Sequence, residues 1–72
     1  MEKNNIIFIF SQNMKELRVK ANMTQEELGF KSKLHRNYIS DTERGKRNVS
    51  LKAIEKIAEG LGVNAIELFK GF

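Results

Sequence analysis

The chain has 72 residues, 31% charged and 40% hydrophobic, with a net charge of +4, one histidine and neither cysteine nor proline. A chain this short holds one core at most, so a single domain over 1–72 is expected and a large catalytic fold is excluded. Lacking cysteine, it has no disulfide, thiolate zinc site or cysteine nucleophile; one histidine rules out a two-histidine metal site within one chain.

The longest apolar run, Ile6 to Phe10, is closed by Ser11-Gln12-Asn13. It is too short to cross a bilayer or to form a signal-peptide core. A cytoplasmic protein with no membrane partner is expected. Phe10, Met14, Leu17 and Ala21 recur at helical spacing, and Ile6 extends the stripe one turn back. Helix one starts either near Asn5 or at Gln12 with Ser11 as cap. The β-branched and aromatic mix of Ile6 to Phe10 also suits an extended arm.

Thr24-Gln25-Glu26-Glu27 is a capping-box pattern that starts a second helix at Gln25, with Leu28 inward and an end near Ser32. Gly29 inside it costs roughly 1 kcal/mol relative to alanine, which points to another helix packed close. A third helix runs from Arg36 to Arg44 behind a turn of about three residues, and Gly45 is placed for a left-handed stop. Ser50 caps a fourth helix with Leu51, Ile54, Ile57, Ala58 and Leu61 on one face, ended by Gly62. Asn64 with Glu67 repeats a cap signature for a short fifth helix. The expected fold is therefore all-α, five short helices, the second and third with helix-turn-helix proportions over about 24–45.

Residues 31 to 52 hold seven basic residues and two acids, a local +5 against −1 for the rest of the chain. Such a patch points to a polyanion. Arg36 and Asn37 open the third helix; arginine pairs with guanine and asparagine with adenine through two hydrogen bonds each. Ser40 and Asp41 follow one turn later on a similar face. Asp41 repels phosphate, so it must meet a cytosine amino group, pair with a nearby cation, or face away. Gln25 lies in a first helical turn, where anions are favoured. Arg44, Lys46, Arg47 and Asn48 form a dense, mostly basic loop suited to the DNA backbone. His35 fits a helix N-cap with a possible phosphate contact.

The stretches Thr24-Gln25-Glu26-Glu27-Leu28 and Tyr38-Ile39-Ser40-Asp41-Thr42-Glu43-Arg44-Gly45, in order within about 14–69, resemble the helix-turn-helix family of phage Cro and repressor proteins. Leu34-His35-Arg36-Asn37-Tyr38-Ile39-Ser40 and Glu43-Arg44-Gly45-Lys46-Arg47-Asn48 look most like the controller proteins of bacterial restriction–modification systems. The resemblance implies a five-helix lambda-repressor-like domain whose third helix enters the major groove of double-stranded operator DNA. It implies a homodimer on a palindrome, Tyr38 at the DNA backbone, and an Arg18–Glu43 ion pair between helices one and three. Two residues depart from the controller pattern: Asp41 stands where a small or apolar residue is frequent, and Thr42 replaces a common core isoleucine, which suggests looser packing.

The end of the chain, about 50–72, is rich in apolar residues for a small protein, and a self-complementary interface is expected from Leu51, Val63, Asn64, Leu68, Phe69 and Phe72. No phosphate loop, nucleophile–base pair or metal cluster is present, so no enzyme, cofactor or small-molecule ligand is expected. The alternatives are an antitoxin or other protein-interaction module with secondary DNA binding, served by Ile6 to Phe10, and a small phage-type repressor.

Overall fold

The computed structural model describes residues 5–71. Four α-helices follow in order: α1 (Ile6–Lys20), α2 (Gln25–Ser32), α3 (Arg36–Glu43) and α4 (Leu51–Leu61), then a 3-10 helix (Ala65–Phe69). There is no strand among the described residues. The fifth element is thus a 3-10 helix rather than an α-helix. Asn64 makes no side-chain cap bond, and the segment closes with the amide of Glu67 on the carbonyl of Asn64. Five residues without a cap do not nucleate an α-helix; burial of Leu68 and a tilted ring contact of Phe69 with Phe10 hold the turn instead.

Of the alternatives for the first helix, the earlier start is found. Asn5 caps it, its side chain accepting from the amides of Ile7 at 2.8 Å and Phe8 at 3.4 Å. Ile9, Phe10 and Met14 are buried, so the apolar run is the first two turns of α1 and not an extended arm. Ser11 is no cap. It lies buried within α1, where its Oγ is 2.7 Å from the carbonyl oxygens of both Ile7 and Thr42, and its one proton serves either. This ties α1 to the last turn of α3. Asn13 does the same for the C-terminal segment: its Nδ2 donates to the carbonyls of Leu68 at 3.0 Å and Lys70 at 2.8 Å.

The core joins Phe10 and Met14 of α1, Leu28 of α2, Ile39 of α3, Ile57, Ala58 and Leu61 of α4, and Leu68. Gly29 explains the tight α2–α3 turn. A Cβ there would lie 2.7 Å from the carbonyl oxygen of Leu34 and 3.3 Å from the Cα of Arg36, so the turn and the start of α3 sit directly on α2. Gly60 plays the matching part between α2 and α4: a Cβ there would collide with Ser32 Oγ and lie 3.1 Å from Leu28 Cδ1. Thr42 is fully buried, and its hydroxyl donates to the carbonyl of Tyr38 at 2.7 Å. Its polar atom is satisfied inside the helix, so the polar substitution leaves no orphan group.

Candidate nucleic-acid interface

Three residues, Lys33-Leu34-His35, connect α2 to α3. Lys33 takes the left-handed conformation at the end of α2, φ 59°. His35 caps α3 with Nδ1 accepting from the amide of Asn37 at 3.0 Å. That bond fixes Nδ1 as the acceptor and leaves Nε2 as the outward edge.

The first turns of α2 and α3 meet in an open concavity of about 650 Å³ lined by Thr24, Gln25 and Glu26 on one side and Arg36, Asn37 and Ser40 on the other, with Arg18 beneath. Arg36 and Asn37 are exposed and Ser40 half-buried. The structure therefore brings three of the four expected base-reading residues, all but Asp41, together with the first turn of α2. Glu26 was not among the expected site residues. Its signal was adjacency to Gln25 in a first helical turn, which puts both near the same rim.

The floor of this concavity is fixed by ion pairing. Glu43 accepts from Arg18 Nε at 2.6 Å, Arg18 Nη2 at 3.1 Å and Gln25 Nε2 at 3.0 Å; Arg18 Nη1 donates to the carbonyl of Met23 at 2.7 Å. The Glu43 side chain is almost wholly buried, 3% exposed, and the Arg18 side chain is 12% exposed. Four segments (α1, the α1–α2 turn, the start of α2 and the end of α3) are thereby locked at one point. Gln25 spends one of its two side-chain N–H donors on Glu43, so an anion at the start of α2 would meet backbone amides and the remaining N–H.

The basic loop is organised differently. Asp41 is neither free nor turned away: its Oδ1 is 2.5 Å from Arg44 Nη2 and its Oδ2 is 3.9 Å from Arg47 Nε. The Arg47 guanidinium lies over the ring of half-buried Tyr38, 4.3 Å from the centroid. Lys46 and Asn48 are exposed beside it. Asp41 can reach a base edge only if these arginines leave it.

The residues expected at a subunit interface separate. Leu51 stands 85% exposed at the start of α4. It borders an apolar cleft of about 290 Å³ whose walls include Ile6, Phe10, Val49, Ile54 and Phe69. Val63 is half-buried against the core and Asn64 is exposed. Phe69 is half-buried, its ring centroid 5.4 Å from that of Phe10. Leu68 is fully buried inside the subunit and is not an interface residue: the 3-10 turn points it into the core. Phe72 lies outside the described residues. Ile66, 69% exposed, is the large apolar residue which that segment presents outward.

The helix-turn-helix family matches residues 14–68. Control protein C.BamHI of Bacillus amyloliquefaciens is 54% identical over 66 residues, covering 90% of this chain and 82% of that one. Among solved structures, the restriction–modification controller C.AhdI from Aeromonas hydrophila superposes with a TM-score of 0.85 at 44% identity, over 88% of this chain and 96% of that one. The controller C.Esp1396I, solved as a tetramer in complex with its natural 35 base-pair operator, gives 0.85 at 39% identity over 92% and 87%. The chain belongs to the helix-turn-helix family, and within it resembles the restriction–modification controller proteins in both sequence and fold.

Proposed function

We propose that this chain is a transcription regulator that binds double-stranded operator DNA, acting as the controller of a restriction–modification system. The observation that carries the reading is the concavity between α2 and α3. It presents Arg36, Asn37 and Ser40 together on a helix whose position is fixed by the buried Glu43 cluster. Arg36 and Asn37 have the donor geometry to read guanine and adenine in the major groove. Gln25, His35, Tyr38, Arg44, Lys46, Arg47 and Asn48 flank that face and take the DNA backbone, which positions the protein without reading sequence.

One such domain reads few base pairs. A two-fold pair sets two recognition helices in successive major grooves, about 34 Å apart. Leu51 projecting beside an apolar cleft is the arrangement that suits a two-fold contact, since each copy offers both a knob and a hole. The operator is then a palindrome. The controller C.Esp1396I is a tetramer in complex with its natural 35 base-pair operator, and association of two such two-fold pairs on a longer site is compatible with the same contact here. The antitoxin reading loses its main support, because Ile9 and Phe10 of the apolar run are spent on the core.

Selection of bound duplexes from a random pool tests the reading: the enriched sequences should share a palindromic element. Leu51→Asp should remain folded but sediment as a monomer, and lose operator affinity with it. Enrichment of no common sequence, or a folded monomeric wild type on the enriched duplex, would overturn it.

A further inference from the structure

Asp41 holds two of the cations that the DNA backbone is expected to take. Arg44 and Arg47 approach its two carboxylate oxygens from either side. All three side chains are solvent-accessible, at 59% for Arg44, 46% for Arg47 and 34% for Asp41, so these contacts are weak enough to exchange partners. Arg47 keeps a second support that does not depend on an anion, the Tyr38 ring beneath its guanidinium. It can therefore change its anionic partner while remaining in place.

We infer that Asp41 limits the affinity of this face for DNA by competing with phosphate for Arg44 and Arg47. The inference rests on the DNA-binding reading above. Binding to arbitrary sequence comes almost wholly from cations that neutralise phosphates and release counterions. A carboxylate already seated on two of those cations lowers the gain from any phosphate they meet. Asp41 thus penalises all sequences alike. On arbitrary DNA nothing offsets this, and binding is weak; on the operator, base contacts from Arg36, Asn37 and Ser40 outweigh the same penalty.

The test is equilibrium binding of the full chain, wild type and Asp41→Asn, to a duplex enriched from a random pool and to a scrambled duplex of equal length, across a salt series. Asp41→Asn should bind the scrambled duplex about five- to tenfold tighter at ~50 mM salt, with a salt slope steeper by about one unit. Its affinity for the enriched duplex should rise by a similar factor, so the ratio between the two is kept. In an Arg44→Ala/Arg47→Ala background the same substitution should change neither affinity nor slope. A wild type that distinguishes the two duplexes, with an Asp41→Asn variant whose scrambled-duplex affinity and slope are unchanged, overturns the role of Asp41 alone. A gain that persists without the two arginines also overturns it, since charge removal in general would then suffice. A wild type that binds neither duplex sinks the DNA-binding reading itself.

Discussion

Asp41 and Glu43 stand two residues apart on α3, and each holds arginine, yet their surroundings are opposite. At 3.6 residues per turn, two positions are about 200° apart, so the two carboxylates leave the helix on opposite faces. Glu43 points inward, 3% exposed, and closes a network of Arg18, Gln25 and the Met23 carbonyl. Asp41 points outward, and its partners Arg44 and Arg47 are about half exposed. The same chemistry does different work in the two places. Inside, a charge stripped of water cannot do without its partner, so the pair fixes geometry. Outside, water substitutes for either partner at little cost, so the pair is free to exchange. One face of α3 sets where the helix lies; the other governs what the helix can bind.

The comparison breaks most visibly on the buried side. Glu43→Ala strands the Arg18 guanidinium and should cost roughly 3–5 kcal/mol of unfolding free energy, read by urea denaturation. Replacing both partners, as in Arg18→Met with Glu43→Leu, should recover much of that, because no charge is left without a partner. A loss below about 1 kcal/mol for Glu43→Ala would show that water reaches the pair and that the two carboxylates are not so different after all.

Arg36 tests what the buried cluster is for. It is exposed at the start of the helix that Glu43 anchors. Arg36→Ala should leave stability unchanged, weaken binding to the operator by about 1–3 kcal/mol, and relax preference at one base position. Wild-type selectivity across single-base operator variants would move base reading elsewhere on α3. Arg47→Ala acts on the outward side and should weaken binding to every sequence alike, reducing the salt slope by about one unit. A changed base preference with an unaltered slope would mean that Arg47 reads bases.

What was legible in the sequence was local. The capping box of Thr24 and Glu27 forms, with the Glu27 amide on Thr24 Oγ1 at 3.0 Å and the Thr24 amide on Glu27 Oε1 at 2.8 Å. Ser50 caps α4, and Gly45 and Gly62 take left-handed backbone at the ends of α3 and α4. These depend on residues within four positions of one another, so chain order contains them. The family resemblance carried the long-range Arg18–Glu43 pair, which spacing alone does not imply. What stayed hidden depends on how helices meet. Gly60 is needed because Ser32, 28 positions earlier, faces it; the Ser32 hydroxyl finds no hydrogen-bond partner among the described residues. Leu68 is indistinguishable by type from an interface leucine, and only the turn of the 3-10 segment puts it in the core and leaves Ile66 outside. The partners of Asp41 divide between the two classes: Arg44 is a local i,i+3 neighbour, whereas the approach of Arg47 depends on the conformation of the loop after Gly45.

The smallest effect is the sharpest complement to Glu43. Asp41→Asn removes one charge from a cluster with two hydrogen-bonding or ionic contacts, at 2.5 and 3.9 Å, both open to solvent. Exposed pairs of this kind gain little, since side-chain ordering and screening offset most of the attraction. Asparagine keeps the shape and one acceptor oxygen, so Arg44 retains a neutral hydrogen bond. The adjoining backbone does not depend on the carboxylate: the amide of Lys46 donates to the main-chain carbonyl of Asp41 at 2.9 Å, which asparagine preserves. The unfolding free energy should therefore change by less than about 0.5 kcal/mol, measured beside Glu43→Ala under the same conditions. A loss above about 1 kcal/mol would place Asp41 among the groups that hold α3 in position, and its arginines would then be fixed rather than exchangeable.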